Sequence, residues 1–421
     1  MRPIALALPL ALLAAASAFA ASPTGPGDPL SHDPQAFDEI ERGRYLAIAA
    51  DCTACHTAPE GKPYAGGRKI DTPFGLLVSP NLTPDYDTGI GGWSDDDFVS
   101  ALQRGIGAGG MHLYPAMPYP YYARMPRADI LAIRAFLKTL QPAHNEVNVN
   151  QLPFPFRIRA AMIGWNMLFF TPGEFRPRPD KPEEWNRGAY LVEGPGHCGA
   201  CHTPKNFLGG DKTSRRLEGG VLQGWFSPNL TGHQRIGVGA WAADDIVAYL
   251  KTGQNQHAMA TGLMSEVVAD STSKMREDDL RAIAVYLRDQ PPQPPQQDQP
   301  VRIASDDPVM RQGAALYIDA CSACHSPDGS GVARLFPALK GSPVVQSTDP
   351  TTLLHIVLHG TRNVATDAAP TSPAMPAMSW KLSDDQIAAV LTYVRNSWGN
   401  AAAAVSGKDA ARMRSQLVEQ P

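Results

Sequence analysis

The stretch "DCTACHTAPEGKPYAGG" at residues 51–67 places two cysteines three positions apart, with a histidine directly after the second. The same pattern recurs at Cys198, in "HCGACHTPKN", and at Cys321, in "ACSACHSPDGSG". The three copies use all six cysteines of the 421-residue chain. A pattern that recurs and consumes every cysteine predicts one kind of chemical site present three times.

The sequence C-x-x-C-H is an attachment site for haem c. Two thiols at this spacing can form thioethers with the two vinyl groups of one porphyrin, and the adjacent imidazole becomes the proximal ligand of the iron. We therefore predict three covalently bound haem c groups. The predicted attachment residues are Cys52, Cys55, Cys198, Cys201, Cys321 and Cys324, and the predicted proximal ligands are His56, His202 and His325.

Three other uses of C-x-x-C fit less well. A zinc ribbon needs C-x-x-C pairs that combine into one four-ligand shell. A thioredoxin-like redox site needs neither the histidine nor the repetition. Disulfides closing three such short loops would make a poor structural framework.

The first 20 residues, "MRPIALALPLALLAAASAFA", predict a secretory signal peptide (1–20) cleaved after Ala20. A membrane anchor is the alternative, but the apolar run is short for a spanning helix. Export agrees with haem attachment outside the cytoplasm. Removal of Arg2 leaves 36 basic and 41 acidic residues, a formal charge of −5, so no basic surface for nucleic acid is expected.

Internal repetition divides the mature chain into three units. Each unit opens with a short predicted helix ("RGRYL", "RGAYL" or "RQGAALY") that leads into C-x-x-C-H. Each closes with an amphipathic helix, whose apolar residues recur at three- and four-residue intervals. The predicted bounds are 37–143 for unit 1, 183–290 for unit 2 and 306–400 for unit 3. The chain is therefore predicted to be mainly α-helical, with long loops ordered by packing on haem.

Two connectors and a tail separate or follow the units. The apolar connecting segment, 144–182, contains "LPFPFRIRAAMIGWNMLFF" and predicts a helix after Pro155. That helix could pack between haem units, or it could form a docking face for a partner or a membrane surface. The proline-rich linker, 291–305, should be extended, its ten-residue core spanning roughly 30 Å at ~3.1 Å per residue. A tail, 401–421, completes the chain.

Methionines recur in register before each closing helix and predict the distal iron ligands. A single methionine is usually core filler, but the recurrence, with Met-Pro in two units, favours ligation by Met117, Met264 and Met375. Met378 lies closer to the last helix and is interpreted as a packing residue. Bis-histidine ligation is the rival hypothesis. Other candidates in the same loops are Met111, His112, His257 and Met259.

His355 and His359 could share a helix face and resemble a metal pair, but they precede the ligand loop. They are interpreted as haem-packing or surface residues. A P-x-L tripeptide follows every haem site, at Pro80, Pro228 and Pro337. Ligating imidazoles usually donate their second N–H to a carbonyl or carboxylate. We therefore predict that these three proline carbonyls hold the three histidines.

As a set, several stretches resemble the tri-haem cytochrome c subunits of bacterial membrane-bound periplasmic dehydrogenases of the alcohol, aldehyde or gluconate type. They are "YLAIAADCTACHT", "YAGG", "NLTPDYDTGIGGW", "LYPAMPY", "WNRGAYLVEGPGHCGACHTP" and "MPAMSWKLSDDQIAAVLTYVRNSWGN". The resemblance covers residues 37–400 and implies three tandem class I cytochrome c domains. The three candidate methionines fall at the family's axial positions.

The resemblance also implies partners. They are a dehydrogenase catalytic subunit using pyrroloquinoline quinone, flavin or molybdopterin, ubiquinone, and the periplasmic side of the cytoplasmic membrane. The chain departs from the family in its tail, which lacks a long amphipathic extension.

An electron-transfer subunit is the favoured function. The alternative is a freestanding multihaem enzyme such as a peroxidase, which would need an open or easily displaced iron ligand. No substrate-binding motif is present, so the chain is not expected to be catalytic alone.

Overall fold

The computed structural model describes residues 34–292 and 302–418. The predicted signal peptide and most of the proline-rich linker lie outside these residues. As predicted, the described chain is mainly helical, and its strands are short antiparallel pairs or a small three-stranded sheet.

The helices and strands follow the order of the three units, with one connecting helix. Up to that helix the elements are α1 (Pro34–Ala49), α2 (Cys52–His56), β1 (Lys69–Thr72), β2 (Gly75–Val78), α3 (Asp95–Arg104), β3 (Ile106–Gly107), β4 (Met111–His112), α4 (Tyr119–Tyr122), α5 (Arg127–Lys138), β5 (Asn150–Gln151) and α6 (Ala161–Phe169). Unit 2 contains α7 (Glu183–Glu193), α8 (Gly199–His202), β6 (Gly220–Leu222), β7 (Trp225–Ser227), α9 (Ala243–Thr252), α10 (Leu263–Asp270) and α11 (Glu277–Arg288). Unit 3 and the tail contain α12 (Pro308–Ala320), α13 (Ser322–His325), α14 (Pro343–Gln346), α15 (Thr351–His359), β8 (Thr361–Arg362), β9 (Ala374–Met375), α16 (Asp384–Asn396) and α17 (Gly407–Val418).

The opening and closing helices of each unit pack against each other, as α1 with α5, α7 with α11 and α12 with α16. A glycine lies at each crossing, where the opening helix meets a carbonyl of the closing helix. A Cβ built there would lie 1.8 Å from Ala132 O at Gly43, 1.9 Å from Ala282 O at Gly188, and 2.3 Å from Ala389 O at Gly313. Only glycine allows this approach, so the recurring glycine fixes how each helix pair crosses.

Units 1 and 2 share one continuous core and exchange hydrogen bonds across a pseudo-two-fold relation. One aspartate in each closing helix accepts from an arginine of its own unit and from a tyrosine of the other unit. The two sets are Asp129 with Arg42 and Tyr190, and Asp279 with Arg187 and Tyr45. Both carboxylates are buried, so these bonds specify the pairing as well as stabilise it.

Unit 3 cannot make this exchange. When the units are aligned on the crossing glycine and on the alanine whose carbonyl it meets, unit 3 has other residues at the three positions. Gln312 replaces the arginine, Ala315 the tyrosine and Gln386 the aspartate. Unit 3 instead has a separate core and contacts unit 2 through α15. There the Thr352 hydroxyl donates to Phe226 O at 2.9 Å and accepts from Phe226 N at 2.8 Å.

The tail packs on unit 3, which is not predicted from the sequence. Val405, Ala410 and Met413 are buried in the core of unit 3, and Arg414 pairs with Asp384 at the start of α16. Within the described residues, no helix combines the length and apolarity needed to cross a membrane.

Candidate functional site

Each C-x-x-C-H sequence forms a short helical turn directly after the opening helix of its unit. The turns are α2, α8 and α13, and each ends at its histidine. All six cysteines carry free thiols, so both sulfurs of every site can form thioethers with a porphyrin. The predicted attachment residues are therefore brought together as three separate, similar sites.

The three histidines make the predicted second contact. Nδ1 of His56 lies 2.8 Å from Pro80 O, that of His202 lies 2.6 Å from Pro228 O, and that of His325 lies 3.0 Å from Pro337 O. A carbonyl can only accept, so Nδ1 carries the proton and Nε2 keeps its lone pair for a metal. Burial lowers the pKa of all three rings, to about 4 for His202, against the opposing effect of the carbonyl. Each imidazole is therefore neutral at pH 7, which is the form that binds iron.

The proline loops are held by a buried asparagine-threonine pair in units 1 and 2. Thr83 donates its backbone N–H and its hydroxyl to Asn81 Oδ1, and Thr231 does the same with Asn229. In unit 3 the asparagine comes from the far end of the unit. Asn400 Nδ2 donates to Leu339 O at 3.0 Å. All three loops are thus fixed by side chains that are not predicted from the sequence.

The candidate distal methionines are half-buried; Met117 lies in a loop, whereas Met264 lies in the first turn of α10. Met117 and Met264 pack against the core shared by units 1 and 2, and Met375 lies in β9. Met378 packs on the core of unit 3, in agreement with its interpretation as a packing residue. Among the rivals, His257 is engaged elsewhere: it lies 3.2 Å from Asp245 Oδ2 and stacks on Trp241.

Buried polar atoms without a hydrogen-bond partner lie beside the candidate ligands. They include Asp51 Oδ1, next to Cys52, and Ser265 Oγ, next to Met264. Asn363 of unit 3 has neither side-chain atom paired, although it lies against Gly253 of unit 2. Buried polar groups in proteins are normally paired, so these atoms call for a polar partner beyond the protein. Ser265 Oγ and Asn363 Nδ2 can donate to a haem propionate, and together with the free thiols, neutral imidazoles and methionine thioethers they fit haem c.

The sites of units 1 and 2 adjoin each other. The Tyr122 hydroxyl donates to Ala50 O at 2.8 Å, and its ring packs edge-on against His197 at 5.6 Å. His197 directly precedes Cys198, and Ala50 lies two residues before Cys52. Burial raises the pKa of the Cys55 thiol to about 11, and the nearby Cys201 adds to the effect. This tyrosine contact is not predicted from the repeat, because unit 2 has no counterpart of the "YPYY" run.

Unit 3 meets the ligand loop of unit 2. Val364 of unit 3 is buried in a small cluster that Met264 packs against. His355 is buried and stacks on Trp225 at 3.8 Å, while its Nδ1 lies 3.1 Å from Gly224 O. His355 therefore joins two units, a role that the sequence does not predict, whereas His359 is exposed as expected. The described residues contain no cluster of three or more His, Cys, Asp or Glu that could hold a separate metal.

Helical units whose C-x-x-C-H histidine is held by a proline carbonyl define a c-type cytochrome, and the cytochrome c family matches residues 40–141 and 310–398. The cytochrome c subunit of alcohol dehydrogenase (quinone) from Gluconacetobacter polyoxogenes is 40% identical over 406 residues, covering 92% of this chain and 87% of that protein. The gluconate 2-dehydrogenase cytochrome c subunit of Pantoea cypripedii is 40% identical over 401 residues, 91% of each chain. The fructose dehydrogenase cytochrome subunit of Gluconobacter japonicus is 36% identical over 440 residues, covering 98% of this chain and 90% of that protein.

The chain belongs to this family of dehydrogenase cytochrome c subunits, as the resemblance predicted. Membership implies covalently bound haem c, electron transfer and a dehydrogenase catalytic partner.

Proposed function

We propose that the chain is a tri-haem electron-transfer subunit that connects a dehydrogenase catalytic subunit to ubiquinone at the periplasmic side of the cytoplasmic membrane. The observation that carries the proposal is similarity along nearly the whole chain to cytochrome subunits of alcohol (quinone), gluconate and fructose dehydrogenases. The partner would oxidise an alcohol, aldehyde or sugar acid.

In this proposal the three units are tandem class I cytochrome c domains with the bounds 37–143, 183–290 and 306–400. Each holds one haem c through its two cysteines, its histidine and one methionine. When bound, haem c supplies a one-electron redox centre whose potential is raised by His-Met ligation. The recurrence of the histidine-proline contact in all three units supports three sites.

The residues of the chain would orient and isolate these centres. The proline carbonyls fix the imidazole rings, and the three methionines would supply the second iron ligand, which would leave no position for oxygen or peroxide. The contacts of unit 2 with both neighbours keep the three sites in one connected assembly. This arrangement suits relay better than catalysis, because an enzyme of the peroxidase type needs an accessible iron position.

Haem content tests the first half of the proposal. Mass spectrometry of the exported protein should show three haem additions and a new N-terminus at Ala21. A variant in which Cys321 and Cys324 are both replaced by alanine should carry one fewer. Fewer than three haems in the fully matured wild type would refute the proposal.

Reconstitution tests the second half. The purified cytochrome alone should accept electrons from chemical reductants but oxidise no alcohol, aldehyde or sugar acid. With its dehydrogenase subunit and a ubiquinone analogue, substrate should drive reduction first of the cytochrome and then of the quinone. Substrate oxidation by the isolated chain, or full quinone reduction by a complex that lacks it, would contradict the assignment.

A further inference from the structure

Helix α6 in the connecting segment is apolar on both of its faces, and two of its aromatic side chains pack inward. Ile163, Met167 and Leu168 lie on one face and are exposed, Met167 to 83%. The polar Asn166 points inward, where Oδ1 accepts from the Tyr119 hydroxyl at 2.6 Å. Surface helices normally turn the apolar face to the protein, so the outward face of α6 requires an apolar environment other than its own core.

The exposed face continues into a larger apolar patch. The Phe156 ring packs on Phe74 at 5.1 Å, and Trp165 Nε1 donates to Leu208 O at 3.0 Å, which brings the 206–210 loop of unit 2 beside the helix. The principal exposed side chains of this apolar patch are Phe154, Phe156, Ile163, Met167, Leu168 and Phe207. Contiguous exposed apolar groups of this kind mark interaction sites on soluble proteins.

Charge indicates what covers the patch. The 27 residues from Val147 to Gly173 contain no Asp or Glu, and two arginines, Arg157 and Arg159. Arg159 lies over the Tyr114 ring and donates to His112 O at 2.8 Å, whereas Arg157 is exposed at the edge of the patch. Arg176 is also exposed, just beyond α6. The only charged residues within this stretch are thus arginines, although the whole chain is acidic and the exposed Glu146 and Glu174 bound the stretch.

The apolar patch has few exposed polar side chains that could form hydrogen bonds with a partner. Along 153–173, the exposed side chains other than Arg157 and Thr171 are apolar. A specific protein interface needs roughly one hydrogen bond per 100–200 Å², and this surface offers few groups to make them. The acyl boundary of a bilayer needs none and favours large apolar and aromatic side chains edged by arginine.

We propose that the apolar patch inserts into the interfacial layer of an anionic phospholipid bilayer and holds units 1 and 2 at the membrane surface. The proposal rests on the membrane-associated function proposed above and deepens it by assigning the contact to α6 and its neighbours. Because α6 packs on Tyr119, two residues after Met117, the inserted surface adjoins the candidate distal ligand of unit 1.

Vesicle co-sedimentation of the holoprotein tests this. Wild type should bind vesicles of phosphatidylcholine mixed with phosphatidylglycerol more tightly than vesicles of phosphatidylcholine alone. Added salt should weaken binding to the mixed vesicles and leave binding to phosphatidylcholine unchanged. Replacing Met167 and Leu168 with glutamine should weaken partitioning about 100-fold, from the loss of two buried side chains. Arg157→Gln should weaken binding to anionic vesicles alone.

A matched control is Trp380→Gln, because Trp380 is 80% exposed but lies on unit 3. It should bind vesicles like wild type. Unchanged haem spectra would show that the variants remain folded. Unchanged electron transfer from the dehydrogenase subunit through the cytochrome to a soluble quinone analogue would test the proposed function separately. Unaltered vesicle binding by the double glutamine variant, or no preference for anionic vesicles, would overturn the proposal. The proposal would also be overturned if wild type bound no vesicles and the double glutamine variant lost its binding to the dehydrogenase subunit. That result would assign the patch to a protein partner.

Discussion

Removing the tyrosine hydroxyls that cross between units 1 and 2 should loosen that pairing without disturbing unit 3. The Tyr190 hydroxyl donates to the buried Asp129, and the Tyr45 hydroxyl donates to Asp279 in a partly buried position. A hydrogen bond to a charged group contributes about 1.5–3 kcal/mol. We expect Tyr190→Phe to fall near the upper end of that range, because its bond is fully buried.

Tyr45→Phe should fall near the lower end, because Asp279 keeps the bonds from Arg187 at 2.7 and 2.8 Å and from Arg276 at 3.2 Å. If the two sites are independent, the double variant should lose about 4 kcal/mol of unfolding free energy. Urea unfolding of the holoprotein, followed by circular dichroism and by haem absorbance, measures this loss. Trypsin cleavage of the connecting segment should also become faster, because pairing of the units limits access to it.

Tyr317→Phe is the matched control. The Tyr317 hydroxyl donates to Ser326 O at 2.6 Å within unit 3, and a neutral bond of this kind is worth about 1 kcal/mol. That variant should leave cleavage of the connecting segment unchanged. If the double variant unfolded and were cleaved like Tyr317→Phe, the cross-unit bonds would not hold the pair together.

Three further outcomes are expected. Replacing any one of the three candidate distal methionines with alanine should convert one haem to high spin or to a nitrogen ligand and lower its potential, as measured by optical redox titration. Met378→Ala is the control and should change neither. A triple variant with unchanged spectra would contradict the ligand assignment. Burial raises the pKa of Asp279, but hydrogen bonds from arginine and tyrosine outweigh it and bring the pKa to about 2 from 3.8. Its ionised form therefore stabilises the fold above pH 3.8, and that contribution is lost as the pH falls toward about 2, so Asp279→Asn should flatten the acid dependence of the unfolding midpoint in that window. His355→Ala removes a ring stack worth about 0.5–1.5 kcal/mol and should speed proteolysis of the proline-rich linker. His359→Ala, at an exposed position, should not. Equal proteolysis rates for the two variants would contradict a role of His355 in holding unit 3 on unit 2.

Much of this arrangement can be predicted from the sequence because it is local. The C-x-x-C-H pattern identifies the attachment residues, and the three closing helices follow from apolar periodicity with acidic first turns. The histidine-proline contacts are also predictable, because a ligating imidazole needs an acceptor and the P-x-L tripeptide recurs after each site. These features depend on residue types at fixed spacing within one unit.

The contacts between units could not be predicted in the same way. Tyr45 and Asp279 are far apart in the chain, and nothing in either local pattern shows that they meet. The signal that could have found them was the difference between repeats: units 1 and 2 keep the arginine, tyrosine and aspartate that unit 3 lacks. His355 is buried, so the surface alternative is wrong, and its contact with Trp225 could not be predicted for a similar reason, since Trp225 belongs to another unit. The outward face of α6 remained ambiguous because apolarity alone does not say which side of a helix is covered.

The crossed tyrosine-aspartate bonds also determine which parts of the chain can be inherited separately. Deleting unit 1 or unit 2 would leave the surviving unit with a buried aspartate short of one donor and with half of its core uncovered. Those two units therefore have to be gained or lost together, and a substitution at a cross-unit contact in one favours a compensating substitution in the other. Unit 3 does not depend on unit 2 in this way, because it has a core of its own and meets unit 2 through α15 and a small cluster around Val364. It is the module that recombination could exchange while the paired units stay intact.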